Sequence, residues 1–115
     1  MTEARAIKKY IPGSPRKMRL VADLIRGKNV EEALNILHFS TKHASKVCET
    51  TLRSALSNLM NAKDGGRVQP ENVIVSVIMV DGGPAAKRVL PAPMGRAFRV
   101  RKRTNHLTIV VSETE

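Results

Sequence analysis

The stretch "VIVSVIMVDGGPAAKRVLPAPMGRAFRVRKRTNHLTIVVSE", residues 73–113, sets two strand-like ends around a middle that cannot bury itself. Its first eight residues are short, β-branched and almost wholly apolar, the pattern of a buried strand. Its last eight alternate, with Leu107, Ile109 and Val111 on one face and His106, Thr108 and Ser112 mostly on the other. Between them, residues 82–103 hold seven Lys or Arg, three prolines, three glycines and no acid. The simplest connection is antiparallel, a long hairpin over residues 81–105 with the basic stretch at its far end. About ten to fifteen residues on each side, at ~3.3 Å apiece, make roughly 30–50 Å of ribbon. A compact chain of this length has a radius of gyration of only about 13 Å, so the arm is expected to reach beyond the body. A lone two-stranded ribbon is marginal in water, and this one should order fully only when something encloses it.

Outward from the hairpin, the N-terminal half supplies the body. "EARAIKKYIP", residues 3–12, mixes β-branched, aromatic and basic residues before Pro12 and Gly13, and reads as an exposed or edge strand. "SPRKMRLVADLIRG" follows as a helix, with Ser14 as N-cap, Pro15 in the first helical position and Gly27 as the stop. Leu20, Val21, Leu24 and Ile25 are its expected buried stripe. "NVEEALNILHFS" opens with Asn29 as cap and Glu32 at capping-box spacing, and Val30, Ala33, Leu34 and Leu37 share a face. A third and longest helix is expected from about 41 to 62, closed by "KDGG", with Cys48, Leu52, Ala55 and Leu59 among its inward residues. The fold class is therefore α+β: three helices packed on a small antiparallel sheet, with a long protruding β-hairpin. Residues 1–115 form one domain, and 81–105 is an arm within it.

Charge says what such an arm is for. The chain carries 20 Lys plus Arg against 10 Asp plus Glu, a net charge of +10. Residues 1–28 are at +6, residues 29–83 at −1 and residues 84–115 at +5, so both ends are polyelectrolyte ligands. Nucleic acid is the first partner this implies. Apolar runs are too short for a membrane span, and the charged N-terminal residues are not expected to follow a signal peptide. The basic stretch is broken by prolines, unlike a membrane-seeking amphipathic helix. A single cysteine, Cys48, excludes an internal disulfide framework and fits a reducing, cytosolic setting. Only three aromatic rings occur, Tyr10, Phe39 and Phe98, too few for a base-stacking platform of any size. Phosphate contact and shape recognition remain.

The candidate contacts follow. Arg5, Lys8 and Lys9 lie on the first strand. Arg16, Lys17 and Arg19 crowd the start of the first helix, where the dipole disfavours cations by a few tenths of a kcal/mol each unless a phosphate sits there. On the arm stand Lys87, Arg88, Arg96, Arg99, Arg101, Lys102 and Arg103, followed by Thr104, Asn105 and His106. Alternation predicts Arg99, Arg101 and Arg103 on one face of a strand, where the planar guanidinium fork suits phosphates and base edges. The tip, from Lys87 and Arg88 through Val89, Leu90, Pro91, Ala92, Pro93 and Met94 to Gly95, is proline-stiffened and apolar after its first two residues.

Two blocks, "SPRKMRLVADLIRGK" at 14–28 and "GPAAKRVLPAPMGRAFRVRKRTNHLTIVVSE" at 83–113, closely resemble the bacterial large-subunit ribosomal protein family numbered twenty-two. The resemblance runs over nearly the whole chain, and the two blocks in this order and separation are highly specific. It implies a globular α+β domain on the outside of the large subunit and a long hairpin that penetrates the large ribosomal RNA to line the polypeptide exit tunnel. It also implies a role in subunit assembly, neighbouring large-subunit proteins as partners, the nascent polypeptide as a further one, a place near the macrolide site, and a cytoplasmic location. Lys87 and Arg88 match the basic pair near the family's tip, and residues 95–97 match its "GRA". Residues 102–106 stand where members commonly read Lys-Arg-Thr-Ser-His, with Asn105 a departure. At the turn, Ala92 and Pro93 replace a common arginine and small residue, and Met94 a frequent basic one.

Catalysis finds no support. His43 and Cys48 are five apart, which misses the spacing that sets two ligands on one helical face. Cys48 falls on the apolar stripe and reads as a core residue, and His106 as an RNA contact or strand-surface residue. No nucleophile elbow, P-loop, metal-binding cysteine set or dinucleotide glycine pattern occurs, so neither an enzyme nor a cofactor or metal is expected. The alternative function is an architectural DNA-binding protein whose proline-tipped β-arm enters a minor groove.

Overall fold

The computed structural model describes residues 3–62, 70–84, 86–91 and 97–113, giving the backbone alone at 62, 70, 86–91 and 97–102. In chain order the elements are β1 (Glu3–Pro12), α1 (Pro15–Ile25), α2 (Val30–His38), α3 (Ala44–Ala62), a 3-10 turn (Pro70–Asn72), β2 (Val73–Gly82), β3 (Ala86–Pro91), β4 (Ala97–Lys102) and β5 (Thr104–Glu113). Strands β1, β5 and β2 form one antiparallel sheet in that order, so the C-terminal strand is central and the N-terminal strand is an edge. The three helices pack with this sheet, as the α+β reading expected.

Burial follows sequence period closely in β5, where Leu107, Ile109 and Val111 are fully inside. β2 departs from expectation. A bulge between Val75 and Val77 shifts the alternation, so Val73, Val75, Ile78 and Val80 face the core while Val77 and Met79 stay exposed. Its apolar run is thus buried on one face only. The outer edge of β2 is occupied by the turn after α1: Gly27 N–H donates to Val75 carbonyl, Val75 N–H donates to Lys28 carbonyl, and Asn29 bridges Ile74.

In α1, Ser14 Oγ accepts from Arg16 N–H, Pro15 takes the first turn, and Gly27 sits at a φ of +75° beyond the end. The buried stripe is Met18, Val21, Ala22 and Ile25. Leu20 and Leu24 were expected in that stripe and instead face outward, because inward positions at spacings of three and four leave them on the flank. Asn29 caps α2 by accepting from Glu31 N–H, while Glu32 reaches Lys28 Nζ at 3.9 Å. Helix α3 begins at Ala44, three residues later than expected, after Ser40 Oγ accepts from Lys42 N–H in the preceding turn. Cys48, Leu52, Ala55 and Leu59 form its inward line, and the expected stop at 63–66 lies outside the described residues.

Strands β3 and β4 form a second, two-stranded sheet, paired from Ala86↔Lys102 to Pro91↔Ala97. The whole molecule measures 67 × 25 × 16 Å with a radius of gyration of 17.4 Å. A compact chain of 115 residues would have about 13 Å.

Candidate nucleic-acid interface

The end of the sheet from which β3 departs is where the chain's two basic segments meet. Ile11 pairs with Asn105 and Pro12 with Thr104, so β1 ends beside the start of β5. Gly82, the last residue of β2, also pairs with Asn105. The ladder continues one step further as Gly83 N–H donates to Thr104 carbonyl at 2.9 Å. Only Gly13 and Ser14 separate the end of β1 from the start of α1, and Pro15 lies close against Gly82. Arg19 Nη2 donates to Val80 carbonyl at 3.2 Å, fixing the first turns of α1 to β2. Arg16, Lys17 and Arg19, which sequence reading placed in a separate cluster, therefore stand at the root of the β3–β4 ladder. Lys8 and Lys9 lie near this end on exposed β1, whereas Arg5, opposite Val110, is further along the strand.

Local chemistry builds the root. Thr104 Oγ1 donates to Pro84 carbonyl at 2.6 Å, and Gly13 N–H donates to Arg103 carbonyl at 2.9 Å. Asn105 is buried, and its Nδ2 donates to Gly13 carbonyl at 3.2 Å and Ile11 carbonyl at 3.4 Å. Tyr10 N–H donates to His106 Nδ1 at 3.0 Å, and the two rings meet edge-on at 5.0 Å. Tyr10 occupies a β1 bulge at a φ of +57°, with its ring largely exposed. That arrangement has no local sequence signal; the motif surrounding it reads as plain strand.

Electrostatics divide the surface. Among the described residues, the acids held in ion pairs sit elsewhere: Asp23 with Arg26, Glu32 with Lys28, and Glu49 with both Arg53 and His38. Among the described residues, no ion pair neutralises Arg5, Lys8, Lys9, Arg16, Lys17 or Arg103. Nor does α1 carry an acid in its first turn. Uncompensated cations at the positive end of a helix are suited to phosphate.

A sequence model described as ribosomal protein L22p/L17e matches residues 6–112. The chain belongs to that family. It is 54% identical over 113 residues, covering 98% of this chain and 95% of the relative, to the large ribosomal subunit protein uL22 of Chlorobaculum tepidum. The proteins of that name from Chlorobium chlorochromatii and Chlorobium limicola are 55% and 50% identical, with coverage of 98% of this chain in each case. Members of the L22p/L17e family are structural proteins of the ribosome, and this chain is accordingly no enzyme.

Two site expectations change within the L22p/L17e frame. Arg103 does not share a strand with Arg99 and Arg101, because β4 ends at Lys102 and Arg103 sits between β4 and β5. Asn105 is a structural residue whose amide is engaged by β1 and not offered to solvent. His106 and Thr104 are half-buried, each with a hydrogen bond inside the root. Tip residues Ala92, Pro93, Met94, Gly95 and Arg96 lie outside the described residues, as do the side chains of Lys87, Arg88, Val89, Leu90, Pro91, Arg99, Arg101 and Lys102.

Proposed function

We propose that this chain is a structural constituent of the large ribosomal subunit that binds large-subunit ribosomal RNA, aids its assembly, and lines the polypeptide exit tunnel with an arm over residues 81–105. Its place is then the ribosome in the cytoplasm, beside other large-subunit proteins and, at the arm, the nascent chain. The observation that carries this reading is the root of the β3–β4 ladder, where exposed Arg16, Lys17 and Arg103 gather without a neutralising acid among the described residues. Family membership and the names of the relatives support the ribosomal setting. The body acts as a rigid mount. Cations on α1 and β1 fix its position on the phosphate backbone, and the arm adds Lys87, Arg88, Arg96, Arg99, Arg101 and Lys102 along a narrow ribbon. Counterion release makes such binding fall steeply with salt until folded RNA encloses the arm.

The test is a sucrose gradient of lysate from cells carrying either the natural chain or an Arg99→Ala, Arg101→Ala, Arg103→Ala variant, with a high-salt wash. The natural chain should remain with the large subunit after washing. The variant should keep its circular dichroism spectrum and be depleted from subunits. Normal incorporation of the variant, or migration of the natural chain with chromosomal DNA, would overturn the reading; the second result would favour the architectural DNA alternative.

A further inference from the structure

A cleft of about 570 Å³ opens beside the root, between the start of α1, the start of α3 and the end of β1. Its size falls in the ~300–1,000 Å³ range of sites that hold a small ligand. Two kinds of chemistry line it. Lys17 and Lys42 supply positive charge, and no acidic residue contributes to the wall. Met18, Leu20 and Val47 supply apolar surface. Buried Asn105 closes the wall on the side of β1, where its Nδ2 donates twice.

Backbone electrostatics point the same way. Helices α1 and α3 both contribute their N-terminal ends to the cleft, and neither has an acid in its first turn. Helix α2, whose start does not line the cleft, carries Glu31 and Glu32 there. The two positive helix poles that lack a compensating carboxylate are thus the two that converge on this opening.

We propose that this cleft receives one nucleotide of the bound RNA, turned out of its stack. Its phosphate would lie between Lys17 and Lys42 at the two helix starts, and its base against Met18, Leu20 and Val47. A bare anion meets only the first requirement and an apolar chain only the second, whereas a nucleotide meets both. This inference rests on the RNA-binding reading, and the test separates the two.

Leu20 and Leu24 are both exposed, at 54% and 41%, and lie one helical turn apart, but only Leu20 lines the cleft. Leu20→Glu and Leu24→Glu therefore change net charge equally and neither should unfold the chain, which circular dichroism checks. Affinity of each full-length protein for large-subunit ribosomal RNA is then measured by filter binding at fixed salt. Leu20→Glu should weaken binding about tenfold or more, and Leu24→Glu by less than about threefold. Equal affinities overturn the nucleotide site while leaving RNA binding in place. Failure of the natural chain to bind the RNA overturns both. If Leu20→Glu keeps its RNA affinity yet loses a neighbouring protein from purified subunits, the cleft docks a protein segment, and the nucleotide proposal falls.

Discussion

Asn105 and Gly13, 92 residues apart, are joined by a hydrogen bond of 3.2 Å from the buried Asn105 amide to the Gly13 carbonyl. Through this contact the start of the central strand holds the connection from β1 to α1. The same amide reaches Ile11 carbonyl at 3.4 Å. One side chain therefore ties together the N-terminal basic segment and the root of the β3–β4 ladder.

Asn105→Ala should leave two β1-side carbonyls without their donor inside the protein. Loss of one partner of a buried hydrogen bond costs about 1–3 kcal/mol, and a drop of that size is expected in urea unfolding. Asn105→Ser, the residue common in relatives by the resemblance drawn above, should lose less. A variant as stable as the natural chain would mean the root is held by its backbone ladder alone.

Gly83 faces Thr104 so closely that a Cβ there would overlap Thr104 Oγ1, with His106 Cε1 and Nε2 at 3.3 Å. Thr104 is β-branched and its hydroxyl is committed to Pro84 carbonyl, so it has little freedom to move. Gly83→Ala should therefore destabilise the chain by about 1–3 kcal/mol, as overpacking does. Adding Thr104→Ala removes the obstructing group, and the double variant should recover part of the loss. Strictly additive losses in a double-mutant cycle would show the two positions do not clash.

Much of this architecture could be read from periodicity. The alternation in 106–113 predicted the burial of Leu107, Ile109 and Val111, although Ser112, read on the opposite face, is buried too, and the Ser14, Pro15 and Gly27 signals bounded α1 to within a residue or two. Where reading failed, the cause was non-local. The β2 bulge that exposes Val77 and Met79 arises from pairing with β5, which a run of apolar residues does not reveal. Leu20 and Leu24 look like core residues by hydropathy alone, and only the positions of Met18 and Ala22 show which side faces the sheet. The convergence of Lys17 and Lys42 on one cleft depends on helix packing, with 24 residues of chain between them.

Cys48 is fully buried on α3, and burial pushes its thiol up to about 12. Reactivity belongs to the thiolate, so the native chain should resist iodoacetamide at pH 8 and react only after unfolding in urea. The raised value also sets a direction for stability. The unfolded thiol ionises near 9.0, well before the folded one, so this contribution is whole below that pH and is lost as pH rises toward 12. Rapid alkylation of the folded protein at pH 8 would contradict the burial.

Glu49 holds the most connected ion pair among the described residues, accepting from Arg53 Nη2 at 2.9 Å and lying 3.5 Å from His38 Nδ1. The hydrogen bond from Arg53 lowers its carboxyl below the usual value, opposed by partial desolvation and aided by the charges of Arg53 and His38. A lowered folded value means the stabilisation is present above the ordinary carboxylate range and fades as pH falls through the folded value. Arg53→Met removes the largest cause while keeping the aliphatic stem. Its Glu49 side chain should titrate at higher pH in an NMR titration, and acid unfolding should begin earlier. Because the Arg53 side chain is 62% exposed, the loss at neutral pH should be small and shrink further in high salt. An unchanged Glu49 titration would show that His38, not Arg53, sets this carboxylate's environment.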